Sequence, residues 1–190
     1  MDDAPLGTMA VTIANVVVFA LTVLSNGSLV LANCYSPRVV LEAPLWNAYR
    51  IVTSVFTHGS FPHVLLNLLA FVPMASSLER SIGTVQFTHL FAVIVFCMAA
   101  VHAALAMVLE VLVGGPVFCA IGMSGVVFAL IVCETNVNNV GGRSIFGLFE
   151  VSSAWYPIVL LCFIQLVMPG VSFIGHSAGL ITGYAYVKVR

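Results

Sequence analysis

Charge is what this sequence has least of. Only 7% of its 190 residues are Asp, Glu, Lys or Arg, against about a quarter in an ordinary soluble domain. A chain so poor in charge cannot cover a water-facing surface, which excludes a soluble globular domain. Six basic residues against seven acidic ones give a formal charge of −1. With no basic patch to meet phosphates, nucleic acid is excluded as a partner. Cysteines are few: Cys34, Cys97, Cys119, Cys133 and Cys162 are odd in number and fit no zinc spacing. We read them as small core residues, since free cysteine behaves as a small hydrophobe. Basic residues are also missing from Met1 to Leu6, which carries Asp2 and Asp3. A cleaved leader would be basic there, so the first apolar run is expected to remain as a helix. The sequence shows no internal repeat, low-complexity tract or soluble second domain. We expect one membrane domain over residues 1–190, with no cofactor and no metal.

What is present is apolar. Hydrophobic residues make up 61% of the chain and the mean hydropathy is +1.13. A bilayer span needs roughly 20 mostly apolar residues, and the rare charges cut the chain into such lengths. The spans fall at about Val11–Leu31, His63–Leu78, Val85–Leu109 and from Gly114-Gly115-Pro116 to Cys133. Pro169-Gly170 then divides the uncharged stretch Val151–Val187 into two more. A wet connection with Arg38, Glu42, Trp46 and Arg50 follows the first span, and an Asn- and Gly-rich loop covers Glu134–Glu150. The expected fold is all-α, a polytopic bundle of six transmembrane helices. Six spans leave both termini on one side. That side holds Arg80, Arg143, Lys188 and Arg190, against Arg38 and Arg50 opposite. The positive-inside rule therefore puts both termini in the cytosol and the long first connection outside or in the lumen.

Polar groups are costly in hydrocarbon, so ionisable ones within spans point to function. Ser124 sits in Gly122-Met123-Ser124-Gly125 at the start of span four. A serine in a membrane helix commonly just bonds a carbonyl one turn back. Here Gly122 and Gly125 leave its surroundings open to another backbone or a substrate. His176 flanks Gly175, Gly179 and Gly183, which recur every four residues and make one smooth stripe. Such a stripe lets two membrane helices touch and would bring span six against span four. His176 by itself could be a packing histidine; with Ser124 as partner, a nucleophile and its base is the sharper reading. His63 and Asn67 are four apart and share one helical face. Both can donate hydrogen bonds to the oxyanion of an acyl-transfer transition state. The plainer account makes Asn67 a helix–helix bond and His63 an interfacial residue. A metal at His58 and His63 would lack a carboxylate or cysteine ligand. His89 and His102 have no comparable partners and are read as packing or interfacial.

At these residues the chain resembles a known family. His58-Gly-Ser-Phe-Pro-His63-Val-Leu-Leu-Asn67 resembles the second-helix signature of rhomboid proteases. Gly122-Met-Ser124-Gly-Val-Val-Phe-Ala resembles their nucleophile segment, and Gly175-His176-Ser-Ala-Gly179-Leu-Ile-Thr-Gly183 their last catalytic helix. Leu78-Glu79-Arg80-Ser-Ile-Gly83 fits as well, and the strings run in the family's order from about Trp46 onward. The resemblance implies a six-helix rhomboid bundle with an indented, water-filled cavity. It implies Ser124 as nucleophile and His176 as general base without a third acid. It also implies an oxyanion hole of His63, Asn67 and the Ser124 amide, and a membrane-embedded hairpin over about Asn33 to Pro62. The substrates would be other membrane proteins in the lipid bilayer, cut in or near their transmembrane segments. Many members carry Trp-Arg in the first loop; here the pair is Tyr49-Arg50, with Trp46 one turn earlier. The layout is most similar to six-helix eukaryotic members of the endoplasmic reticulum and Golgi. Two rivals are weighed. A silent rhomboid-like protein that binds client helices in quality control typically lacks the Ser or the His. A small transporter would show paired carboxylates or a broken helix near the midplane, whereas Glu79, Glu110, Glu134 and Glu150 lie at span ends.

Overall fold

The computed structural model describes residues 4–114, 119–138 and 141–189. The chain begins with α1 (Leu6–Leu24), whose mean hydropathy is 2.1. Its buried residues are Thr8, Asn15 and Thr22, while Ile13, Val16, Val17 and Leu21 are exposed. That is the reverse of a helix in a water-soluble protein. Lipid solvates the aliphatic side chains, so the polar stripe is the one that must turn inward. Thr12, Asn15 and Thr22 each donate to the carbonyl four residues back, at 2.8 Å.

Asn26 and Gly27, at φ 51° and 81°, end α1 before the apolar run stops. The first span therefore lies earlier than the Val11–Leu31 expected from hydropathy. The rest of the run enters a connection of four short helices: α2 (Ser28–Asn33), α3 (Pro37–Glu42), α4 (Pro44–Asn47) and α5 (Arg50–Phe56). Pro37 and Pro44 open α3 and α4, the helical position where a missing N–H costs nothing. Tyr49 and Arg50 tie this connection together. The Tyr49 hydroxyl donates to the Ala32 carbonyl at 2.7 Å. Arg50 Nη1 donates to the Leu31 and Cys34 carbonyls at 2.9 and 3.1 Å.

Among the described residues, three helices are long and apolar enough to cross a bilayer: α1, α6 (Phe61–Ile82) and α7 (Thr84–Val113). The positive φ of Gly83 (86°) lets α6 turn into α7, and Gly114 (71°) ends α7. Next comes α8 (Ser124–Val137), shorter at 14 residues and buried at every position from Gly125 to Thr135. A helix apolar on all sides belongs in the middle of a bundle, and α8 is surrounded by α6, α7, α9 (Tyr156–Val167) and α10 (Phe173–Val189). Between α8 and α9 the expected loop is partly ordered. An antiparallel hairpin pairs β1 (Gly142–Ile145) with β2 (Phe149–Ser152), turning at Phe146 and Gly147, both with positive φ. The Gly115-Pro116 part of the expected break before span four lies outside the described residues. These helices make an all-α polytopic membrane protein.

Two features correct the sequence reading. Cys34 and Cys119 are not free core residues but form a disulfide, Cα–Cα 5.5 Å, across 85 positions of chain; Cys133 is buried, and Cys97 and Cys162 are exposed. Glu79, read as a boundary marker, is buried. Its carboxylate accepts from the Gly7 and Thr8 amides at 2.8 and 2.7 Å and from the Thr8 hydroxyl at 2.8 Å. Pro5, the residue before α1, offers no side-chain cap, so Glu79 supplies the acceptors and the negative charge that a helix start favours. Replacing Glu79 by Ala is expected to destabilise the chain in detergent by about 2–3 kcal/mol, the cost of stranding buried donors of a charged acceptor. An unchanged thermal midpoint would show that α1 does not depend on this cap.

Candidate active site

An α-helix of 14 residues is about 21 Å long, roughly 9 Å short of a hydrocarbon core of about 30 Å. The C-terminal end of α8 carries Glu134, paired with Arg143 at 2.7 Å, and Asn136 and Asn138. That polar end belongs at one surface, so the Ser124 end is sunk beneath the other. The segment leading into it, 119–123, is fixed at several points. Cys119 is bonded to Cys34. Ala120 and Tyr35 exchange two backbone hydrogen bonds at 2.8 Å. The Gly122 amide donates to Ser54 O at 2.9 Å, and Met123 is fully enclosed. His58 Nδ1 lies 3.3 Å from Phe56 O, and its Nε2 receives a long bond, 3.4 Å, from the Met123 amide. One tautomer, with the proton on Nδ1, satisfies both contacts.

Ser124 is the first residue of α8, where backbone N–H groups have no intrahelical partner and the helix favours negative charge. Its Oγ lies 2.9 Å from His176 Nε2, in the first turn of α10. The His176 ring is buried against Phe128, one turn beyond Ser124, with centroids 4.8 Å apart. Nδ1 of His176 has no hydrogen-bond partner among the described residues, so no carboxylate orients the ring. Packing does.

That packing depends on glycine. A Cβ at Gly179 would collide with the Gly125 carbonyl oxygen. One at Gly183 would lie 2.7 Å from Ala129 O and 2.8 Å from Val132 Cβ. One at Gly125 would meet Met98 Sδ at 2.6 Å and Gly175 O at 2.8 Å. The backbones of α8 and α10 are therefore in direct contact. Gly122 serves differently: at φ 101° it adopts a conformation open to glycine, and a Cβ there would stand 2.6 Å from His63 Nε2.

His63 thus lies against the residue two before Ser124, edge-on to His58 at 4.8 Å. Asn67 is buried, and its Nδ2 donates to His63 O at 2.8 Å. This fixes the amide orientation and leaves one N–H of Nδ2 free, while Oδ1 is buried without a partner. The structure brings Ser124, His176, His63, Gly122 and Gly125 into one region. His89 contributes nothing to it. His102, read as packing or interfacial, lines the same cavity as Ser124. Sequence reasoning missed the Cys34–Cys119 bond, the Met123–His58 contact and His102, because all three depend on segments far apart in the chain.

The chain matches the rhomboid domain model over residues 45–190. It is 35% identical over 96% of its length to Rhomboid-like protein 15 of Arabidopsis thaliana, covering 46% of that protein. It is 30% identical over 82% of its length to Rhomboid-related protein 4 of Mus musculus, covering 50% of it. It is 31% identical over 75% of its length to Rhomboid-type serine protease 2 of Podospora anserina, covering 49% of it. The chain belongs to the rhomboid family, and it spans about half the length of these relatives. No group of three or more His, Cys, Asp or Glu among the described residues could hold a metal.

If the glycine contacts position His176, Gly179→Val and Gly183→Val will lower stability and activity together, at a cost of at least about 1–3 kcal/mol for forced overpacking. Thermal melts beside activity assays check this. Two variants with parental midpoints and rates would show that α10 tolerates side chains on this face.

Proposed function

We propose that this chain is an intramembrane serine endopeptidase that cuts peptide bonds in or near transmembrane segments of membrane proteins, with Ser124 as nucleophile and His176 as general base. The observation that carries the reading is the 2.9 Å contact between Ser124 Oγ and His176 Nε2, within the reach proton transfer needs. The imidazole takes the hydroxyl proton as Oγ attacks the scissile carbonyl. The oxyanion then faces the Ser124 amide, His63 and the free N–H of Asn67, donors held in place before the charge develops. His176 returns the proton to the leaving amine, and the ester on Ser124 is opened by a water that His176 deprotonates in turn. The closeness of the His63 ring to Gly122, two residues before Ser124, supports a donor role for His63 in this reading.

The rival reading is a silent relative that holds client helices. It gives no reason for a serine and a histidine to share a hydrogen bond below the membrane surface. The names of relatives such as Rhomboid-type serine protease 2 also favour the protease.

The Cys34–Cys119 bond bears on location. Disulfides persist in oxidising compartments, and this one joins the residues next to Tyr35 and Ala120, which line the cavity of Ser124. We infer that the site opens to a lumen of the endoplasmic reticulum or Golgi, as the charge bias of the loops suggests. In sealed microsomes, Cys34 and Cys119 should react with a membrane-impermeant maleimide only after reduction and only from the lumenal face. Labelling of either from the cytosolic face would reverse the orientation.

The test of catalysis is cleavage of a transmembrane substrate by the detergent-purified chain. Ser124→Ala should abolish it. Asn67→Ala should lower kcat by about 10²–10³, less where water refills the gap, with KM within a few-fold. A raised KM with unchanged kcat would make Asn67 a substrate contact. Full activity of Ser124→Ala would end the protease reading.

A further inference from the structure

The hairpin of β1 and β2 has no part in the mechanism above. Its tip is Phe146-Gly147-Leu148-Phe149, in which Phe146 and Leu148 are 68% and 67% exposed. Phe146 holds φ 50°, where Asn or Gly sits easily and a bulky side chain is an outlier. An outlier of that kind motivates a search for what the side chain does.

The neighbours of the hairpin show where its tip lies. The start of α9 follows Trp155 and lies close to Tyr184, whose hydroxyl donates to the Ala154 carbonyl at 3.4 Å. Tyr184 stands one turn before Lys188, in the last turn of α10. Trp and Tyr gather at membrane–water interfaces, so this group marks the bilayer boundary at the Glu134 end of α8. The base of the hairpin is at the same level: the Arg143 guanidinium pairs with Glu134 at 2.7 Å and stands over the Tyr156 ring at 5.8 Å. From that base the hairpin runs along α9. Phe146 and Phe149 pack on the Phe163 ring, with centroids 5.7 and 6.3 Å apart. Phe163 is two turns past Tyr156, about 10 Å along the helix. The strand from Arg143 to Phe146 covers about 10 Å as well. The lengths agree, and the Phe163 ring leans back toward the start of α9. The tip is therefore about 5–10 Å inside the boundary, the depth of an interfacial segment.

The polar groups follow the same arrangement. The Gly147 amide donates to Ser144 Oγ at 3.0 Å and the Leu148 amide to Ile145 O at 2.9 Å. Two amides of the tip are thus satisfied within the hairpin, as groups beyond the reach of water must be. Glu150 turns away from the tip, its Oε2 3.6 Å from where a Cβ on Gly142 would stand. A charged head drawn back while apolar groups go forward is how amphipathic segments sit at a membrane surface.

We propose that this hairpin is a membrane wedge. Its tip, through Phe146 and Leu148, inserts among the acyl chains of the leaflet at the Glu134 end of α8, with Arg143 and Glu150 at headgroup level. The partner is lipid because the tip continues the apolar surface of α9: Leu166 and Val167, one turn beyond Phe163 on the same face, are exposed.

The experiment uses the full chain in phosphatidylcholine liposomes, with Cys97, Cys133 and Cys162 replaced by Ala and the Cys34–Cys119 bond kept. A nitroxide is attached at Phe146→Cys, Leu148→Cys or Ser152→Cys in turn. The two tip labels should collide severalfold more with dissolved oxygen, which concentrates in acyl chains, than with a water-soluble nickel chelate. The label at the base, Ser152→Cys, should show the reverse. Tip labels open to the nickel chelate would place the hairpin in water and overturn the proposal. Tip labels shielded from both probes would mean that a second copy of the chain covers them, and would overturn it too. Should the chain without free cysteines fail to fold, Phe146→Trp decides, with Trp46→Phe and Trp155→Phe and the native cysteines. Its fluorescence should be quenched by chain-brominated lipid and not by aqueous iodide; the opposite pattern overturns the proposal.

Discussion

The backbone of α10 rests on the backbone of α8 at Gly179, where a single added carbon would strike the Gly125 carbonyl. The geometry of the candidate site depends on that contact. His176 lies one turn before Gly179 on α10, and Ser124 immediately precedes Gly125 on α8, so the glycine contact sets the distance between their side chains. In water the hydrophobic effect would press two helices together whatever their detailed shape. In lipid it does not, and close fit between small residues must supply the attraction. The site is therefore built on close backbone packing between two membrane helices. No carboxylate is needed to hold the imidazole when Phe128 and the α8 surface already do so.

The bilayer imposes a second constraint, on where water can go. A nucleophile at the end of a full-length span would sit at the interface. The 14 residues of α8 leave Ser124 below it, and the irregular segment 119–123 that leads into it lies deeper than an ordinary loop. Irregular backbone at such depth is tolerated only where its polar groups are satisfied within the protein. Segment 119–123 meets that condition through Tyr35, Ser54 and His58, and the Cys34–Cys119 bond anchors its start. The short helices of the first connection, held by Tyr49 and Arg50, thus reach the site through this segment. That gives a physical role to a loop whose Tyr-Arg pair departs from the family's usual Trp-Arg.

Much of this was legible in the sequence, for reasons particular to membranes. Charges are so costly in hydrocarbon that the few present mark span ends, and the glycine stripe on α10 is visible because its period matches one helical face. Ser124 and His176 were recognisable through their glycine neighbours. What stayed hidden involves partners distant in the chain. Nothing near Cys34 announces Cys119, and Glu79 looks like punctuation until α1 brings its amides to it. His102 looks like packing until the fold sets it beside Ser124. The Asn26-Gly27 turn ends α1 inside an apolar run, because backbone conformation there outweighs hydropathy. The hairpin of β1 and β2 was concealed by the Asn- and Gly-rich composition of the segment around it, which reads as loop.

The central claim is that Ser124 is a nucleophile activated by His176, and covalent labelling tests it without a known substrate. Purified chain would be treated with a fluorophosphonate and the modified residue located by mass spectrometry. The account predicts an adduct on Ser124 that is lost in a folded His176→Ala variant. A folded wild type that is not labelled at Ser124, or equal labelling without His176, would contradict it.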